Sequence, residues 1–164
     1  MRLRTQPKVL LILTCLLVSH ALAQSSPAAQ PPNDPPSVDK SIDAMIGDNA
    51  HTQVRQLVTD LQQAVAARNP AAVAALIHYP IRIKLHGKPT EINTPKSFIK
   101  NYDNIITPDI AAVIQNQKYD TLFINYQGAM FGDGEVWITG FCTDNTCKHP
   151  DIKIGTIQSA TAKK

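Results

Sequence analysis

The stretch with the most chemical promise is Gly-Ala-Met-Phe-Gly-Asp-Gly-Glu-Val-Trp, residues 128–137. Its glycines and two carboxylates are raw material for a phosphate loop, a calcium loop or a turn between strands. A phosphate loop leads into a helix N-terminus whose amides meet the anion. Here the glycines lead into Glu135-Val136-Trp137-Ile138-Thr139, β-branched and aromatic residues that disfavour a helix. An EF-hand loop needs oxygen ligands at alternating positions and a glutamate at the twelfth. Asp133 and Glu135 alone do not meet that. The spacing therefore predicts a turn. Gly132-Asp133-Gly134 supplies positive-φ positions for a hairpin, and Gly128 allows a close backbone approach or a bulge.

Acid–base chemistry of the isomerase kind needs a carboxylate base and a donor for a developing oxyanion. Asp103, Glu135, Tyr102 and Tyr126 are the available types. Asp103 follows a core-facing position and is turned sideways or outward, and Glu135 falls at a turn edge, so both read as solvated surface carboxylates. No catalytic residue is assigned. His51, His78, His86 and His149 form no H-x-x-x-H or H-E-x-x-H pattern, so neither a metal site nor a cofactor is expected. No serine stands in a G-x-S-x-G elbow. Tyr79, Tyr102, Tyr126 and Trp137 are the candidate ligand-binding residues, being apolar bodies with a polar tip that suit either a core or a pocket wall. Cys142 and Cys147, in Cys-Thr-Asp-Asn-Thr-Cys, read as a disulfide closing a polar turn. Zinc would need two further ligands, and the four-residue spacer is not that of a C-x-x-C redox pair.

The elements that position these residues follow from periodicity and punctuation. Val54, Leu57, Val58, Leu61 and Val65 form one stripe of an amphipathic helix over 52–68, stopped by Asn69-Pro70. Short helices are predicted over 38–46 and 71–77. Ile81, Ile83 and Leu85 alternate with polar residues in a strand over 80–86, and 90–92 returns as its partner. Thr94-Pro95 and Thr107-Pro108 pair a hydroxyl cap with a first-turn proline and open two more helices. The first of these buries Phe98, Tyr102 and Ile105; the second buries Ile110, Val113 and Ile114. Residues 119–126 fit a strand or a helical turn. Strands over 136–141 and 152–157 flank the cysteine loop. Helices, one hairpin, two helices and then strands make an α+β order, with helices on one face of an antiparallel sheet.

The N-terminus carries an address. Arg2, Arg4 and Lys8 precede an apolar run over 9–18, and Ala21-Leu22-Ala23 offers a cleavage site before Gln24, the layout of a secretory signal peptide. The run is too short to span a bilayer, which takes about 20 residues, and no later segment forms a stable membrane anchor. Residues 1–23 are thus expected to be removed and the protein to be periplasmic or secreted. Residues 24–38 hold five prolines and read as a disordered tether, leaving 39–160 as a single domain. Three of the 16 basic residues lie in the signal peptide, so 13 basic residues face 13 acidic ones in the mature chain. Such a balance carries no nucleic-acid footprint.

Tyr79-Pro80, Phe98, Tyr102-Asp103, Leu122-Phe123 and the 128–137 block, in that order, resemble exported bacterial proteins of the nuclear transport factor two-like superfamily. The resemblance spans about residues 52–157. It implies a cystatin-like α+β cone, a curved antiparallel sheet wrapped around the N-terminal helices, whose mouth often holds a small-molecule pocket or a partner surface. That superfamily includes isomerases, dehydratases, carriers and interaction modules, so the fold does not choose a function. The expectation is a non-catalytic exported domain that binds a small molecule or an envelope protein. An isomerase or hydratase with a pocket in the cone, and an immunity or inhibitor protein against a periplasmic toxin, are the alternatives. Homodimerisation stays open.

Overall fold

The computed structural model describes residues 37–85, 88–147 and 149–158, without the side chains of Lys84 and Leu85. The signal peptide, nearly all of the tether and His86 lie outside the described residues. Of the tether's last two residues, Ser37 caps the first helix and Val38 opens it.

Six α-helices are described: α1 (Val38–Ile46), α2 (Ala50–Ala66), α3 (Pro70–Ala75), α4 (Pro95–Lys100), α5 (Tyr102–Ile105) and α6 (Pro108–Asn116). The hydrophobic stripe of α2 is buried along its length, at Val54, Leu57, Val58, Leu61 and Val65. Three helices start alike, with a capping side chain and a first-turn proline. Asn69 accepts from the Ala72 amide at 3.1 Å, Thr94 from Ser97 at 3.2 Å and Thr107 from Ile110 at 3.4 Å. Each bond satisfies an amide that the helix itself leaves unpaired. The helix predicted after Thr94 breaks at Asn101 into α4 and α5, and Phe98 and Tyr102 meet edge-on across the break, 6.2 Å between ring centres.

The strands are β1 (Ile81–Leu85), β2 (Lys88–Ile92), β3 (Phe123–Asn125), β4 (Gly128–Phe131), β5 (Val136–Phe141) and β6 (Asp151–Ile157). Residues 119–126, ambiguous in sequence, form a 3₁₀ turn (Tyr119–Thr121) followed by β3. The strands do not make one wrapped sheet. β1 and β2 form a separate hairpin, and β3-β4-β5-β6 form an open four-stranded antiparallel sheet. A parallel bridge between Ile77 and Ile154 joins the segment before β1 to β6, with the His78 amide donating to the Ile154 carbonyl at 3.0 Å. The fold is therefore α+β, with helices preceding an antiparallel sheet.

One continuous core unites the helices with the inner face of the sheet, including Ile42, Leu61, Phe98, Ile114, Phe131, Ile138 and Ile154. The Gln62 amide fastens α2 to the end of α6, donating to the Ile114 and Gln117 carbonyls at 2.9 and 2.8 Å. Cys142 and Cys147 are bridged in the β5–β6 loop, with Cα atoms 4.7 Å apart. Among the described residues no helix is long and apolar enough to cross a membrane.

Candidate functional site

The glycine stretch is a turn. Phe131 pairs with Val136, and residues 132–135 connect β4 to β5. Gly132 has φ +58°, and a Cβ there would strike the Glu135 carboxylate and stand 2.7 Å from the Val113 side chain. Gly128 has φ +127° and passes so close to the Ile138 carbonyl that no side chain fits. Glu135 departs from expectation. Instead of a solvated edge carboxylate it is 7% exposed, and its Oε2 accepts the Asp133 amide at 2.7 Å. The carboxylate folds back to satisfy an amide of its own turn, and its carbonyl accepts from the Gln158 amide at 2.8 Å.

The four aromatic candidates are dispersed. Tyr79 is half-buried, its hydroxyl donating to the Ala74 carbonyl at 3.1 Å, and burial pushes its pKa up to about 12. That geometry latches the entry to β1 onto α3. Tyr126 is 85% exposed at the β3–β4 turn. Trp137 is half-buried on the outer face of β5. Of the four, Tyr102 alone lines a hollow walled by helices.

That hollow, about 510 Å³, lies between the end of α2 and the α5–α6 segment. Val65, Ala66, Ile106, Pro108 and Ala111 make apolar walls, and Tyr102, Arg68, Asp103 and Gln115 supply polar groups. Its size suits a small organic ligand. No sheet residue is among its lining, so it is a helix-walled pocket. Tyr102 is 6% exposed, and its hydroxyl has no hydrogen-bond partner among the described residues. Burial raises its pKa above the ordinary phenol value, while Arg68 pulls it down and Asp103 pushes it up. Asp103 is 79% exposed and takes one contact from Arg68 at 3.1 Å, as the sequence reading of a surface carboxylate anticipated.

Arg68 was not among the sequence candidates. It stands at φ +48° just beyond α2, where the Asn69 amide closes the helix on the Ala64 carbonyl at 2.8 Å. That left-handed position ordinarily takes glycine or asparagine. A helix end without glycine before Asn69-Pro70 was the available signal.

A second group of ionisable side chains joins α1, α2 and the 3₁₀ turn. The Tyr119 hydroxyl donates to Asp39 at 2.8 Å, and the Arg55 guanidinium stacks 3.7 Å over the Tyr119 ring while donating to Asp39 at 3.0 Å. The Tyr119 hydrogen bond, together with Arg55 and His51, holds the Asp39 carboxyl below its usual range. Burial, then Asp39, raises the Tyr119 phenol. Asp43 reaches from α1 to the first turn of α2, accepting the His51 amide at 3.0 Å and lying 2.7 Å from its ring Nδ1. It thereby does the work of an N-cap, since Asn49 makes no capping bond. Each of these groups has a partner in the network, which is a clamp between elements. Among the described residues no His, Cys, Asp and Glu cluster is arranged to hold a metal ion.

Compared with known protein families, curated proteins and solved structures, the chain matches none.

Proposed function

We propose that this chain is an exported, non-catalytic domain that binds a small, mostly apolar molecule in the helix-walled hollow. The observation that carries the reading is Tyr102, a largely buried side chain whose hydroxyl, without a partner among the described residues, is left open where the residue lines an apolar-walled space of about 510 Å³. A tyrosine with a buried ring ordinarily turns its hydroxyl to a hydrogen-bond partner or to water. A ligand oxygen or nitrogen would complete this one, with its hydrocarbon part against Val65, Ile106 and Ala111. The isomerase or hydratase alternative asks for a base held inside the hollow. Asp103 stands at the rim, paired with Arg68, and Glu135 is engaged in the β4–β5 turn.

The finer fold proposal is a cone of the nuclear transport factor two-like kind. The helix-before-sheet order and the fully antiparallel sheet support it. Export is supported by the tripartite N-terminal pattern and by the disulfide, which suits an oxidising compartment.

The test is to capture molecules from an envelope extract with the tagged chain and with an Ala111→Trp variant that fills the hollow, followed by mass analysis. A small molecule retained by the wild type and lost by the variant is expected. Identical small-molecule yields, or none, would sink the reading. A toxin-like protein held equally by both would favour the immunity alternative.

A further inference from the structure

A second hollow lies on the outer face of the four-stranded sheet, separate from the helix-walled one. The register sets Phe123, Met130, Trp137 and Thr156 side by side across β3 to β6. At the Trp137 end is a space of about 330 Å³, lined by Trp137, Gln127, Thr139, Thr156 and Gln158. One indole is thus surrounded by two amides and two hydroxyls, with no charged side chain in the lining.

The rim is held in place by its own backbone. Thr139 Oγ1 donates to the Gln127 carbonyl at 3.0 Å, fastening the β3–β4 turn to β5. Gln158 Nε2 donates to the Gly134 carbonyl at 3.0 Å, which fixes that amide and leaves its oxygen as an acceptor. A bulge opposite Trp137 and Ile138 leaves Gly155 unpaired and re-aims the β6 side chains. The Gln127 side-chain amide, the Thr156 hydroxyl and the indole N–H have no hydrogen-bond partner among the described residues, the Gln127 backbone amide being taken by Asn125 Oδ1 at 2.8 Å. The site therefore presents an aromatic wall with donors and acceptors unused by the protein.

We propose that this hollow binds a neutral oligosaccharide. A sugar ring has an apolar C–H face for the indole and a girdle of hydroxyls that both donate and accept. Amides and hydroxyls match those groups with both capacities. An apolar ligand would leave the amides unpaired at a cost, and an ionic ligand would find no countercharge in the lining. Peptide strands add at sheet edges by backbone pairing, and β5, which carries Trp137, is interior to the sheet.

Trp137 is the single tryptophan in the chain, so its fluorescence reports this site alone. The full chain is titrated with chitotetraose, cellotetraose and maltotetraose while indole emission is followed. We expect a saturable change with at least one of them, half-complete below roughly 10 mM. Raising the salt concentration should leave it unchanged, because the ligand is neutral. Gln127→Ala and Thr156→Val should each weaken that binding about fivefold, the loss of one net hydrogen bond. The melting temperature shows whether either variant is unfolded, and the folded one decides. No saturable change with any of the three sugars, or one that neither folded variant weakens, would overturn the proposal.

Discussion

At the scale of single residues, two side chains stand where their type is least comfortable, and each carries a prediction. Arg68 occupies a left-handed backbone position at φ +48°, which costs an L side chain about 1–2 kcal/mol that glycine avoids. Glycine loses more freedom on folding. Arg68→Gly should therefore raise stability by about 0.5–1 kcal/mol while weakening any ligand that contacts the guanidinium. Urea unfolding beside a binding assay checks both, and a less stable glycine variant would mean that the position is not strained. Glu135 is buried because it serves its own turn. Hydrogen bonds to charged groups contribute about 1.5–3 kcal/mol net. Glu135→Ala should lower stability by about that amount, as read from the midpoint of urea unfolding, and a change under about 0.5 kcal/mol would make it an ordinary surface charge.

Between elements, the Asp39–Tyr119–Arg55 group decides how firmly α1 is held. The carboxyl of Asp39 is held below its ordinary value of 3.8 by Tyr119, Arg55 and His51. A depressed folded value stabilises the docked state at pH above the ordinary value. That contribution fades as pH falls through the folded value. Amide exchange in α1 should therefore lose protection selectively as pH drops below about 4, relative to α2. In Tyr119→Phe the selective loss should shrink, because the hydrogen bond that lowers Asp39 most is gone. Asp144 is also depressed, by Thr146 and then the Cys147 amide, and titrates in the same window. Global acid stability would mix the two, so the α1 amides are the proper readout. Equal protection loss in α1 and α2, unaffected by Tyr119→Phe, would count against the clamp.

For the whole molecule, the expectation is export with cleavage between Ala23 and Gln24, checked by N-terminal sequencing of the protein from the cell envelope. A retained Met1 would refute it. The mature protein should carry its cysteines oxidised. Closing so short a loop stabilises by roughly 2 kcal/mol in the chain-entropy view, enough to pin the β5–β6 loop without deciding whether the domain folds. Intact mass after alkylation without reductant should show no modified cysteine. Two alkylated cysteines would show that the bridge is not made in the cell.

Local chemistry written along the chain determined the helices, the caps and the turn. The α2 stripe, the proline-opened starts at Thr94 and Thr107 and the 132–134 turn depend on neighbours within a few positions, and such signals survive in sequence. The disulfide was legible for the same reason, its cysteines being five residues apart. Tertiary structure alone decided that β1 and β2 stand apart from the four-stranded sheet, since pairing across long separations is set by packing. It also decided that Tyr102 faces a hollow while Tyr79 bonds to Ala74, two tyrosines equivalent in sequence. Arg68 meets Asp103 across 35 positions and Tyr119 meets Asp39 across 80. Burial of Glu135 followed from the turn closing on its own amide. Which polar groups remain without a partner is known only once every other side chain has taken its place.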